Sequence, residues 1–360
     1  MAAISCGRDH TLALLASGRV VGWGKEGSGR VASGGPEYCA PSPGPARPVE
    51  VRLRSSLTSI AAGYGVSLGV TGLRQVEVWG ASNAGIGGRI DAVALSSPQR
   101  IDGLSAIRVV EAGEFQFGAI DVDGALATWG INSDGALGRE SADLNAAPAG
   151  VGGLPPLDAL ALGGGSMLGL TRDGEVYAWG NNAAGQLGLG HLRSVTTPQR
   201  VVLAEEITAV AAGASHALAV TAGGEVMGWG SNQKGQLGRA RPAYSPIPVA
   251  VELPERAQAV AAGMYYSLAL GESGDVYAWG WNAHGQLGLA DRVDRSQPTR
   301  VPSLARVSAV AAGQTHVAAL ASNALFGWGA NASGQLGGRE PSPIAPVLML
   351  EVADRGGRHA

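Results

Sequence analysis

The sequence is poor in the residues that most often announce chemistry. Cysteine occurs twice in 360 residues, at Cys6 and Cys39. Two cysteines make neither a disulfide framework nor a Cys-x-x-Cys metal site, and a reduced, cytoplasmic setting is the expectation. Lysine occurs only at Lys25 and Lys234, charged residues are 15% of the chain, and the formal net charge is −3. There is thus no electrostatic case for wrapping nucleic acid or lying on an anionic membrane. No stretch reaches the roughly 18 consecutive apolar residues of a membrane-spanning helix. The opening MAAISCGRDHTLALL lacks the basic region, long apolar core and cleavage site of a secretory leader.

Glycine, by contrast, is abundant at 57 residues. With no collagen period and no low-complexity tract, that content reads as many tight turns. The glycines fall into a repeat marked by Trp-Gly pairs at Trp23, Trp79, Trp129, Trp179, Trp229, Trp279 and Trp328. The steps are 56, then 50 four times, then 49. Seven units fill almost the whole chain, so residues 1–352 read as one array, with 353–360 expected to be a disordered tail.

Each unit carries the same four phrases. In VAAGASHALAVTAGGEVMGWGSNQKGQLG (Val210 to Gly238), a small-residue run ends at Gly213, and an apolar strand HALAVT follows. A turn at Ala222-Gly223-Gly224 leads to the strand EVMGWG and a Gly-rich loop. Elsewhere the turn is Asp123-Gly124 or Asp173-Gly174, a two-residue hairpin signal. A Pro-marked strand then follows, as in TPQRVV (Thr197 to Val202) or QPTRV (Gln297 to Val301). Proline cannot donate to a ladder, so this strand belongs at a sheet edge. Four antiparallel strands, seven times over, predict an all-β fold: a seven-bladed β-propeller. The seven tryptophans are then blade packing, and the Leu of each Gly-Gln-Leu-Gly tail plugs the space between blades.

The recurring Ala-Ala-Gly-x-x-His, Asp-Gly and Trp-Gly-x-Asn-x-x-Gly-Gln-Leu-Gly pattern resembles the repeat of the regulator of chromosome condensation family over roughly residues 4 to 350. The resemblance implies the same seven-bladed propeller. Blade 1 departs from it: KEGSGRVASGGPEYCAPSPGPARPV follows Trp23-Gly24, with no Asn and no Gln-Leu-Gly. Blade 7 is one turn residue short at ASNALFGWG (Ala321 to Gly329). The C-terminal PVLMLEV (Pro346 to Val352) reads as an outer strand, expected to pair near the N-terminal AAISCG and clasp the ring.

No catalytic constellation stands out, and the chain is expected to be a non-enzyme with no cofactor and no metal. His10, His216 and His316 share one phase, but the other blades carry Val66, Gln116, Ser166 and Tyr266 there. Three members do not make an axial metal ring, and each histidine is expected to bond within its own turn. Gly22-x-Gly24-x-x-Gly27 lacks the following helix of a dinucleotide site. Leu162 to Gly169 lacks the Lys-Ser/Thr of a phosphate loop.

Strand direction puts the turns after the first and third strands on one face of the disc. Most residues there are small or polar. The exceptions are Met264, Tyr265 and Trp281 on blade 6, Phe115 and Ile131 on blade 3, and Tyr64 on blade 2. Aromatics and Met at exposed turns are enriched in binding hot spots, so these six are the candidate partner-binding residues. The Pro- and Gly-rich insertion Ala32 to Pro48 is a second candidate. The expected function is a non-catalytic scaffold that binds a protein partner through one propeller face. The resemblance implies two alternatives: guanine-nucleotide exchange on a small GTPase, and inhibition of an enzyme as by β-lactamase-inhibiting propellers. The exchange activity belongs with a wedge-like insertion in an early blade, whereas blades 2 and 3 read WGASNAGIGG and WGINSDGALG.

Overall fold

The computed structural model describes residues 1–25, 30–32, 47–80, 95–141, 143, 145–338 and 342–351. Seven separate four-stranded antiparallel sheets follow one another along the chain, each built from consecutive strands. Blade 1 runs from Ala3 to Glu50, blade 2 from Leu57 to Arg100 and blade 3 from Ile107 to Gly150. Blade 4 covers Leu157 to Arg200, blade 5 Ile207 to Val251, blade 6 Ala257 to Arg300 and blade 7 Val307 to Glu351. Small residues in the first strands let the sheets converge on a common axis. The second strands are buried along almost their whole length, and His216–Thr221 from end to end. The Pro-marked strands lie outermost, where the missing N–H costs no ladder bond.

The core lies between blades. All seven Trp-Gly tryptophans are 1% exposed or less, and Leu187, Leu237 and Leu287 are fully buried. Trp229 packs with Leu187 of the preceding blade, and its Nε1 donates to the Gln186 carbonyl at 2.9 Å. Trp179, Trp279 and Trp328 reach back in the same way to Ala136, Gln236 and Gln286. A Cβ on Gly188 would stand 3.0 Å from the Trp229 indole nitrogen, and φ there is +71°. Glycine at the end of Gly-Gln-Leu-Gly is therefore required by both the turn and the indole.

Four sequence-level details are corrected. First, the C-terminal strand Val347–Glu351 pairs with Ala324–Gly329 of its own blade, while Ala3–Cys6 pairs with His10–Leu14. The ring closes without a shared strand. Met349 and Leu350 pack beside Ile4, Ala13 and Trp23 in one apolar cluster, and the Gln314 N–H donates to the Gly7 carbonyl. Second, the outer strands begin two residues earlier than read and stop short of the valines, as Val195–Arg200 and Arg295–Arg300. Val201 and Val301 turn inward instead and are almost fully buried.

Third, the Asp-Gly turns are three-residue connections. The Asp121 N–H donates to Ala125 O and the Gly124 N–H to Asp121 O, with Gly124 at φ +93°. The two-residue turn is Ser322–Asn323 of blade 7, both at positive φ, which is the geometry of a type I′ hairpin. Fourth, blade 1 does contain a stand-in for Gln-Leu-Gly. Ser67 Oγ donates to Arg30 O as Ser267 Oγ donates to Gln236 O. Val31 is buried like Leu237, and Ala32 takes φ +44° where Gly238 takes +71°. Residues 33–46 of the proposed insertion, the blade 2 segment 81–94 and the tail 353–360 lie outside the described residues.

Candidate functional site: the channel mouth and its rim

The turns after the first and third strands do share a face, because the two are hydrogen-bonded together. The Trp281 N–H donates to Tyr265 O, Ile131 N–H to Phe115 O and Asn181 N–H to Gly165 O. Successive blades are tied to each other at the same level. Arg8 N–H donates to Gly63 O, Tyr64 N–H to Gly113 O and Met264 N–H to Gln314 O. These bonds form a girdle around an axial channel of about 360 Å³ lined by the first strands of all seven blades. Its mouth is ringed by the residue after each strand-ending glycine: Arg8, Tyr64, Glu114, Gly164, Ala214, Met264 and Gln314. Blades 4 and 5 contribute only Gly and Ala, so the rim is low on that side.

The six predicted residues fall into two groups on this rim, all half-buried. On blade 6, the Tyr265 and Trp281 rings meet edge to face at 6.0 Å. His284 stands edge-on to Trp281 at 5.2 Å. Met264 is part of the mouth itself. On blades 2 and 3, Tyr64 and Phe115 lie 5.3 Å apart, and the Arg8 guanidinium sits 4.1 Å from the Tyr64 ring centre. Ile131 is placed beside Phe115 by its backbone bond. Charge gathers at blade 1, where Asp9 faces Arg30 at 3.3 Å and Lys25 at 3.8 Å. Burial raises the Glu114 carboxyl above its usual range, and Arg8 partly offsets this.

Sequence reasoning missed Arg8 and His284. His284 was legible by following Trp281 in the same loop, and the place of Arg8 on the rim by blade phase, though not its stacking on Tyr64 of the next blade. It also missed Glu111, which lines the channel at the position where other blades carry Ser5, Ala161, Ala211, Ala261 or Ala311 in the lining, and where blade 2 carries the buried Ala61.

The three phased histidines do something other than expected. Each is buried and bonds the next blade, not its own turn. His10 Nε2 meets Ser67 Oγ at 3.0 Å, His216 meets Ser267 at 3.0 Å, and His316 meets Thr11 at 2.9 Å. Those hydroxyls donate to the carbonyls of Arg30, Gln236 and Gln335. Each hydroxyl has one proton, so it must accept from the imidazole Nε2–H. Nδ1 is left bare, in keeping with its lack of a partner in all three rings. Burial lowers the imidazoles from 6.5 to about 3, 4 and 3. Among the described residues no group of three His, Cys, Asp or Glu side chains could hold a metal. Cys6 lines the channel, and burial pushes its thiol up to about 12.

Comparison with known proteins agrees with this architecture. Residues 94–355 match the RCC1-like domain, and residues 1–30 match the regulator of chromosome condensation (RCC1) repeat. The chain belongs to the RCC1-like domain family. It is similar to human WBSCR16, with 25% identity over 92% of this chain and 94% of that one, at a TM-score of 0.83. It is also similar to Prp20p from Saccharomyces cerevisiae, described with its binding to Gsp1p and histones. That match has 24% identity, covers 86% and 80% of the two chains, and has a TM-score of 0.75. A structure of the same yeast protein bound to Kap60 matches at 23% identity, 87% and 78% coverage and TM-score 0.75. No helix of the described residues is long and apolar enough to cross a membrane.

Proposed function

We propose that the protein is a non-catalytic scaffold that docks a protein partner over the channel mouth. The observation that carries this reading is the placement of two half-buried aromatic groups, Tyr265–Trp281–His284 and Arg8–Tyr64–Phe115, on one rim. The ring holds the loops under them rigidly, which favours docking with little ordering cost. The first reading is tested by affinity capture with wild-type bait beside Trp281→Ala and Tyr64→Ala. The captured partner is then titrated against each purified variant. Trp281→Ala should leave the melting temperature within a degree or two and weaken binding by about 2 kcal/mol or more. Equal affinity for all three baits rejects the rim as the docking surface.

Guanine-nucleotide exchange is the second reading. It is favoured by the likeness to Prp20p, which is described with Gsp1p binding. Release of labelled GDP from a panel of the host's small GTPases tests it. No acceleration at any member removes exchange and leaves the scaffold.

A further inference from the structure

The channel wall contains one feature that packing alone does not call for. Five blades place alanine at the second position before the strand-ending glycine, and blade 1 places Ser5, whose Oγ accepts the Ala62 N–H. Blade 3 places Glu111 there. Its carboxyl has no hydrogen bond or ion pair among the described residues, yet its oxygens are not sealed from solvent. The wall around it is mostly Ala, Val, Leu, Ile and Gly. An unpaired carboxylate in such surroundings is costly, and a cation that can enter along an apolar path relieves the cost.

We propose that the axial channel receives one primary alkylammonium group, the end of a lysine side chain on the docked partner, with Glu111 as its counter-ion. The chemistry fits a lysine. A compact ammonium on an unbranched methylene stem can lay the stem along apolar walls while its head finds the carboxylate. The channel opens at the rim on which Met264 and Tyr64 stand, so the proposal rests on docking at that face. The other titratable groups of the lining are Cys6, Arg8, Tyr64 and Glu114. The Cys6 thiol is held neutral by burial, and Arg8 is occupied over Tyr64. Glu114 at the entrance adds attraction for a cation. Burial raises the Glu111 carboxyl to about 8, so a bound ammonium has a large shift to reverse.

The test needs no partner. The Glu111 carboxyl carbon, assigned by its loss in Glu111→Gln, is titrated by NMR in sodium chloride. The titration is repeated in equal concentrations of n-butylammonium and tetramethylammonium chloride. The midpoint should lie near pH 8 in sodium and fall by about one unit or more in n-butylammonium. Tetramethylammonium, which cannot donate a hydrogen bond, should move it far less. At neutral pH n-butylammonium should raise the melting temperature of the wild type and not of Glu111→Ala, a residue the sibling blades already accommodate. A capped Gly-Lys-Gly peptide should act like butylammonium, and its acetyl-lysine form should not. Identical midpoints in sodium and butylammonium, or an equal thermal response in Glu111→Ala, overturn the proposal. Either result leaves docking at the rim standing on its own capture experiment, whereas rim variants that keep their partner reject docking there and with it the partner lysine. The two failures are told apart because the titration reads Glu111 without a partner.

Discussion

The indole nitrogens of six of the seven Trp-Gly tryptophans fall into two groups. Those of Trp179, Trp229, Trp279 and Trp328 donate to a carbonyl of the blade before. Those of Trp23 and Trp79 are buried without a partner among the described residues. The difference traces to neighbouring loops. Trp79 follows blade 1, whose Arg30-Val31-Ala32 only imitates Gln-Leu-Gly. At Trp23 the Gln335 carbonyl accepts Thr11 Oγ1 alone, whereas the Gln236 carbonyl accepts both Ser267 Oγ and the Trp279 indole. Trp→Phe removes similar packing at either kind of site, but only one loses a bond. Trp229→Phe should therefore cost about 1 kcal/mol more than Trp79→Phe, because it strands the Gln186 carbonyl while Trp79→Phe deletes an unpaired donor. Urea midpoints of the two variants measure this, and equal losses would mean that the indole bond contributes nothing. That these residues pack was plain from the seven-fold spacing. Which of them bond was not, because the acceptor is a backbone carbonyl that side-chain identity does not reveal.

At the scale of the element, the hairpins between second and third strands show where local rules held. Blades 2 to 6 use three residues, with the last one in the left-handed region. Gly124, Gly174, Gly224 and Gly274 occupy it, and in blade 2 Arg74 does so at φ +60°. The Arg74 N–H still donates to Thr71 O, so the turn keeps its form and bears the strain of a Cβ. Arg74 is exposed, so Arg74→Gly relieves that strain without removing packing. It should stabilise the protein by about 0.5–1 kcal/mol. The reverse change, Gly174→Ala, should destabilise by more than about 1 kcal/mol, because its Cβ would lie 2.8 Å from Glu206 Cβ. A lower melting temperature for Arg74→Gly would show that the turn tolerates arginine without cost. The glycines made the turns readable, but the turn length was not, since Asp-Gly suits both two- and three-residue connections. The pairing of Tyr265 with Trp281 was legible from blade phase. The stacking of Arg8 on Tyr64 was not, because it crosses from one blade to the next.

At the scale of the whole ring, the seams are written as pairs between adjacent repeats. Wherever a blade carries the phased histidine, the next carries a hydroxyl one residue further on: His10 with Ser67, His216 with Ser267, His316 with Thr11. Where the histidine is absent, the next blade is apolar there, with Phe117, Met167, Ala217 and Val317. Reading each unit alone hides this rule, whereas reading neighbours together exposes it. The three seams make the fold sensitive to acid. The folded imidazoles titrate near 3, 4 and 3 against 6.5 when free. Below about pH 6.5 the unfolded chain binds protons that the ring refuses. The stabilisation is thus whole above 6.5 and is lost as pH falls through the folded values. Three such groups give a slope approaching about 4 kcal/mol per pH unit. Glu111 acts with the opposite sign. Its folded value near 8 exceeds the free 4.5, so its contribution is present below 4.5 and is lost by about pH 8. Of these four groups, the histidines dominate below 6.5 and Glu111 above it, which places their combined maximum near 6.5. His216→Gln, the residue that blade 3 carries as Gln116, removes one seam proton. It should flatten the acid limb by about 1.4 kcal/mol per pH unit while leaving the neutral limb parallel to the wild type. Urea unfolding across pH 4.5 to 8 separates the limbs, and an acid limb unchanged in His216→Gln would remove the imidazole seams as the cause of acid sensitivity.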